Sequence, residues 1–368
     1  MPELTKETVT EALSKVLDPE IKKDLVTLNM VRDIEVTGDK VKLTLVLTTT
    51  ACPLKSQIQD DVTNACKSVG AKEVDMTTTA EVPQGRGLPE KKSIKGIKNI
   101  IAVASGKGGV GKSTTATNLA IALAQTGAAV GLMDSDVYGP SIPLMLGVHD
   151  RVRAAENGNM IPHEKHGIKM ISIGFMLDEE KPVIWRGPMV MQLVTQFLMK
   201  VEWGELDYLV IDLPPGTGDA QLTLAQSVPV SGAVIVTTPQ DVALIDARRA
   251  IRMFQEVGVP IAGVIENMSY FSCPHCNEKT NIFSHGGGED TAKKYDVEFL
   301  GEIPLDIRIR ECGDAGEPIV SAEPDSVHAK SFLSVAEKVA ARISVIALTA
   351  PPAPEPENVV ASGVQISQ

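Results

Sequence analysis

The chain has 368 residues, a length for two domains, and its 43% hydrophobic and 22% charged residues are the balance of an ordinary globular protein. A formal net charge of −12, from 47 acidic against 35 basic residues, argues against nucleic acid or anionic lipid as partner, and no local basic patch overrides it. Five scattered cysteines read as reduced thiols; with an acidic start, no signal core and no apolar run of roughly 20 residues, the expected compartment is the cytoplasm, with no membrane contact.

Residues 1–82 read as a small α+β unit. Val9, Leu13, Val16 and Leu17 recur at helical spacing from Leu4 to Leu17, and Asp18-Pro19 stops that helix. Val31–Val36 and Val41–Leu47 alternate as strands around Gly38-Asp39, a pair suited to a two-residue hairpin turn. A second helix is expected from about Leu54 and a returning strand over Glu73–Thr79. Residues 83–96, punctuated by Pro83, Gly85, Gly87 and Pro89, form the expected linker.

Over residues 97–348 the pattern changes. Short unbroken apolar runs at Ile100–Ala104, Ala129–Met133, Tyr208–Ile211, Ala233–Val236, Ile261–Ile265 and Phe299–Ile303 alternate with helical stretches. Runs apolar on both faces suit strands covered by helices on each side, so the fold class is α/β: a doubly wound, mostly parallel P-loop sheet behind a small α+β domain. A last helix is expected over Val327–Leu348, with Phe332, Ala336, Val339, Ile343 and Ile346 on one stripe. Residues 349–368 are Pro-rich and read as a disordered tail.

Gly106-Lys107-Gly108-Gly109-Val110-Gly111-Lys112-Ser113, followed by Thr114, fits the G-x-x-x-x-G-K-[S/T] phosphate loop between a strand and the helix Thr115–Gln125. Glycines let backbone N–H groups wrap phosphate oxygens at a positive helix end. Lys112 would reach the β- and γ-phosphates of a nucleotide, and Ser113 would coordinate Mg²⁺. A second cation at Lys107 would stabilise γ-phosphate charge as an arginine finger does. The run resembles the deviant Walker A motif of the MinD, ParA and nitrogenase iron-protein class, in which this extra lysine crosses a dimer interface. That resemblance implies a homodimer.

Asp134 and Asp136 end the second strand of this region, and Asp136 matches the class's switch I aspartate, expected to position the attacking water. Tyr208–Asp212 reads as Walker B, with Asp212 on Mg²⁺ directly or through water. No guanine-reading Asn-Lys-x-Asp appears. Asn267 instead stands where the class reads adenine, which favours ATP over GTP, although a strand-end cap is the plainer role for it.

Cys273-Pro274-His275-Cys276 lies in the Asn-, Ser- and Gly-rich stretch Ser272–Gly288, expected as a loop between strand and helix. Two thiolates at this spacing fit a redox dithiol, a zinc site completed by His275 or His285, or half of a site shared by two copies. Together with Asp134–Ser141, Trp185–Met189, Asp212–Gly218 and Asn267-Met268-Ser269, the phosphate loop and this pair resemble the Mrp/ApbC family over about Ile97–Arg342. The resemblance implies an ATPase that carries a labile [4Fe–4S] cluster on Cys273 and Cys276 of both subunits. Its implied partners are recipient apo iron–sulfur proteins and cluster scaffold proteins.

The N-terminal unit resembles a small cluster-assembly domain through Leu17–Ile21, Met30-Val31 and Thr48–Pro53, with Asn29 where glycine is commoner. Cys52, at a strand-to-helix junction, is either a thiol activated by the helix terminus or a small buried hydrophobe. Cys66 and Cys312 read as structural. Two other functions compete: a MinD- or ParA-type positioning ATPase, and an ATP-gated scaffold with structural zinc. The first lacks a basic amphipathic C-terminal helix.

Overall fold

The computed structural model describes residues 4–85, 94–137, 139–176, 187–273, 275–276 and 278–349. The middle of the expected linker, Trp185-Arg186 and the tail from residue 350 lie outside the described residues. In the N-terminal unit, α1 (Lys6–Leu13) opens on a Thr5–Thr8 capping box and packs beside α2 (Lys55–Ser68) over β1 (Val31–Thr37), β2 (Lys40–Leu47) and β3 (Glu73–Ala80). β1 and β2 form the expected hairpin, whereas β3 returns parallel to β2. Asn29 adopts the left-handed conformation, φ 54°.

Helix α1 ends four residues before the sequence expectation. The reason is Asp18, whose carboxylate accepts the N–H groups of Glu20 and Ile21 and turns the chain, leaving Leu17 exposed in a short bridge to Asp24.

After the linker come β4 (Ile97–Ala104), α3 (Lys112–Gln125), β5 (Val130–Asp134), α4 (Ile142–Met145), a two-stranded ribbon β6 (Arg153–Ala154) and β7 (Met160–Ile161), then β8 (His163–Lys165) and β9 (Ile168–Ser172). They are followed by α5 (Gly187–Lys200), β10 (Leu206–Asp212), α6 (Asp219–Ser227), β11 (Gly232–Thr237), α7 (Asp241–Glu256), β12 (Ile261–Ser272), β13 (Lys279–Thr280), α8 (Gly287–Lys294) and β14 (Phe299–Leu305). Helices α9 (Ile307–Asp314), α10 (Ile319–Ala322) and α11 (Val327–Thr349) close the chain.

The large sheet runs β13-β12-β11-β4-β10-β5-β9-β8, with β14 also paired to β12; only β13 and β8 are antiparallel to their neighbours. Alternate residues of β4 feed opposite cores. Ile101 and Val103 meet Leu119 of α3 and Phe332 and Val339 of α11. Ile100, Ala102 and Ala104 share the other core with Phe197 of α5 and Ile251 and Phe254 of α7. Burial on both faces explains the unbroken apolar runs.

β9, α5 and β12 depart from the sequence reading. β9 and α5 were not anticipated, because Ile168-Lys169-Met170-Ile171 is a short and interrupted apolar run. β12 is twelve residues long, extending past Ile265 to Ser272, so Asn267 lies inside a strand.

Candidate functional site

β4, β10 and β5 end level with one another: Asp212 pairs with Val103 on one side and Asp134 on the other. Ligands of doubly wound sheets bind at this carboxyl edge, and the loop after β4 rises from it. Helix α3 begins at Lys112, three residues earlier than expected, so Lys112 to Thr114 form its first turn. Its N-cap is Gly111, with no side chain capping the first N–H groups, which stay free for an anion. Gly109 and Gly111 have φ of 81° and 79°. A Cβ on Gly106 would strike the backbone of Asp246 in α7, and one on Gly111 would strike the Asn267 amide.

Lys112 is buried with its Nζ 2.6 Å from Asp212 Oδ1, 3.2 Å from Ser113 Oγ and 3.7 Å from Asp136 Oδ2. Asp134 stands behind them, accepting from the Asp136 N–H at 3.1 Å and from Ser172 Oγ at 2.8 Å. Burial, reinforced by repulsion from Asp212, pushes the Asp134 carboxyl up to about 7. Burial also raises Asp212, against the pull of Lys112.

Two carboxylates thus flank one ammonium, with Asp134 behind them. Asp212 Oδ2 and Asp136 Oδ1 are buried without a hydrogen-bond partner among the described residues. Orphaned carboxylate oxygens beside a P-loop serine are the donor set of a hard divalent cation, so the residues fit Mg²⁺. Lys107 is half-buried and makes no ion pair among the described residues, while Gly108 and Gly109 are exposed.

Asn267 is buried, and its Nδ2 donates to the Val110 carbonyl at 2.8 Å. It lines a cavity of about 250 Å³ that begins at Gly111 and Thr114 and continues between Leu144, Pro304, Leu305, Asp306, Arg310 and Asp314. Sequence reasoning missed this far wall. Its signal was Pro304-Leu305-Asp306, which follows the sixth apolar run at the same sheet edge.

Cys273 and Cys276 stand at the tip of a hairpin rather than in an open loop. Phe271 and Ser272 of β12 pair with Thr280 and Lys279 of β13, and the Cys273 N–H donates to the Glu278 carbonyl at 3.0 Å. Backbone N–H groups of His275 and Cys276, then the Cys276 thiol, hold the Cys273 thiol below its usual range, favouring thiolate. Cys276 is exposed. No third His, Cys, Asp or Glu ligand atom joins the pair within 4.8 Å among the described residues. His285, a candidate zinc ligand by sequence, instead contacts Ser269 and faces Glu266 and Glu302.

The other three thiols are all raised. Burial pushes the Cys66 thiol up to about 11 and raises Cys312. Cys52 is also raised, by burial first, with the Leu54 N–H opposing and Glu20, Asp18 and Glu337 adding to it, which runs against the activated-thiol alternative.

A family model described as NUBPL iron-transfer P-loop NTPase matches residues 96–340, and one for an iron–sulfur cluster assembly protein matches residues 6–76. An iron–sulfur cluster carrier protein of Synechocystis is 52% identical over 94% of this chain and 99% of its own. A nucleotide-binding protein from Archaeoglobus fulgidus, solved in complex with ADP, is 40% identical with a TM-score of 0.57, covering 65% of this chain and 93% of that one. The cell division ATPase MinD of Pyrococcus furiosus, 24% identical with a TM-score of 0.50 over 66% of this chain and 98% of its own, shares the fold alone. The chain belongs to the family of NUBPL iron-transfer P-loop NTPases.

Proposed function

We propose that the chain binds and hydrolyses ATP and carries a labile [4Fe–4S] cluster, held between two copies of itself, to recipient apoproteins. The observation that carries this reading is the cysteine pair: one exposed hairpin tip offers two thiols with a lowered Cys273, and among the described residues no third ligand joins them. A four-thiolate cluster then needs a second copy, and a twofold axis supplies it. Exposed ligation suits cargo that is given away. The carrier name of the 52%-identical relative supports the same cargo.

ATP would draw Lys112 from Asp212 to its β- and γ-phosphates, with Asn267 at the base. With Nδ2 committed to Val110, the amide oxygen is the group left to accept the adenine amine. Mg²⁺ would be held by Ser113 and Asp212 and would neutralise phosphate oxygens. Asp136 would orient the attacking water, and Lys107 would serve the partner's nucleotide. Among the described residues no helix is long and apolar enough to cross a membrane. Two thiols that must stay reduced to hold a cluster suit a reducing compartment such as the cytoplasm.

Anaerobic reconstitution with iron and sulfide tests the reading. Cys273→Ala or Cys276→Ala should each abolish iron loading while ATP turnover survives, since other loops build the nucleotide site. Full iron loading of either variant would refute the ligand assignment.

A further inference from the structure

Three ligand-type side chains meet at the β12–β14 edge, apart from the cysteine pair and the phosphate loop. Glu266 and Glu302 are partners across the parallel strands, and His285, in the loop before α8, reaches towards both. One ligand atom from each lies within 4.8 Å of the others. Glu266 is fully buried, whereas the Glu302 and His285 side chains are 27% and 43% exposed, so the cluster opens to solvent.

The hydrogen bonds around His285 decide what it can hold. Glu266 accepts the backbone N–H groups of Gly286 at 3.1 Å and Gly288 at 2.6 Å. Ser269 Oγ donates to Glu266 Oε1 at 2.6 Å. Its single proton so used, Ser269 Oγ accepts at its 3.1 Å contact with His285 Nδ1. Nδ1 is therefore the hydrogen-bearing nitrogen of this contact, which leaves Nε2 as the ring nitrogen that can take a ligand. Nε2 stands 3.5 Å from Glu302 Oε1, on the flank of the cluster that opens to solvent.

An imidazole whose outer nitrogen is anchored to a hydroxyl–carboxylate relay, with the other nitrogen free, is oriented as metal-binding histidines are. Two ligands at Zn²⁺-type bond lengths around a tetrahedral ion stand about 3.4 Å apart, close to the observed separation.

We propose that His285 Nε2 and the Glu302 carboxylate form a separate, exchangeable site for one divalent transition-metal ion. Ser269 and Glu266 act as its outer support, since the Glu266 oxygens already hold three donors. Imidazole with carboxylate selects Zn²⁺, Co²⁺ or Fe²⁺ over Mg²⁺ and Ca²⁺, and water completes the coordination. Ser269 lies four residues before Cys273, about 13 Å along an extended strand, so the ion does not share the thiols.

The test is titration of the untagged full-length chain carrying Cys273→Ser and Cys276→Ser with Co²⁺ in excess Mg²⁺, which fills the oxygen-donor site at Ser113 and Asp212, read by visible absorption. One Co²⁺ should bind per chain, with nitrogen–oxygen ligand-field bands and no thiolate charge-transfer band. His285→Ala and Glu302→Gln should each abolish it, both being substitutions at solvent-facing side chains. Ser269→Ala, which keeps both ligands, should weaken binding about tenfold. Undiminished Co²⁺ binding after His285→Ala, or no stoichiometric Co²⁺ in the thiol-free chain, overturns the proposal. Because Cys273 and Cys276 are absent from the assay, its failure leaves the cluster reading untouched.

Discussion

Lys112 and Lys107 occupy one loop, yet their surroundings give them different tasks. Lys112 is buried against Asp212 and Ser113, so Lys112→Ala should lower ATP turnover at least about 100-fold, the scale of losing one preorganised charge-stabilising group. Lys107 makes no ion pair among the described residues, beside the exposed Gly108 and Gly109. Lys107→Ala should therefore still bind ATP but hydrolyse it about 1000-fold more slowly, as when an arginine finger is lost. Mixed dimers of Lys107→Ala and Asp136→Ala chains should recover activity at one composite site; no recovery in confirmed mixed dimers contradicts a role across the interface.

Asp134 gives a pH-dependent expectation. Its folded-state value of about 7 lies above the ordinary aspartate 3.8, so the stability it contributes is full below about 3.8 and is lost as pH rises through 7. Asp134→Asn cannot ionise. Its thermal midpoint relative to the unsubstituted, nucleotide-free chain should be more favourable at about pH 8 than at about pH 5. An equal difference at both would contradict the burial account.

At the scale of elements, the seam between the two units can be tested in one bond. Ser344 Oγ of α11 donates to the Thr48 carbonyl at 3.0 Å, and Thr50 Oγ1 meets Thr126 Oγ1, just past α3, at 3.0 Å. Ser344→Ala would strand that carbonyl at about 1 kcal/mol, read in urea unfolding; no change would mean the seam does not hold the N-terminal unit. Most of the sheet was legible because each central strand is apolar on both faces, and the phosphate loop was legible because its spacing encodes its geometry. The hairpin at Cys273 and Cys276 was not, since β13 is two residues long and has no periodicity to read. The far wall of the Asn267 cavity escaped for another reason: Asp306 and Arg310 reach Gly111 only through tertiary packing.

Across the whole molecule, the N-terminal unit and the nucleotide site lie at opposite ends of α3. The helix runs 14 residues from Lys112 to Gln125, about 21 Å, and Thr126, which touches Thr50, is beyond its far end. Cys52, raised by burial beside this seam, therefore takes no part in holding nucleotide, and in the proposed account the hairpin thiols are the cluster ligands. The central claim is that one cluster is shared by two chains, and native mass spectrometry of the anaerobically reconstituted protein measures it most directly. The account predicts a dimer carrying one [4Fe–4S], about four irons per two chains. A monomer holding a complete cluster, or tightly bound zinc unchanged after reconstitution, would contradict it.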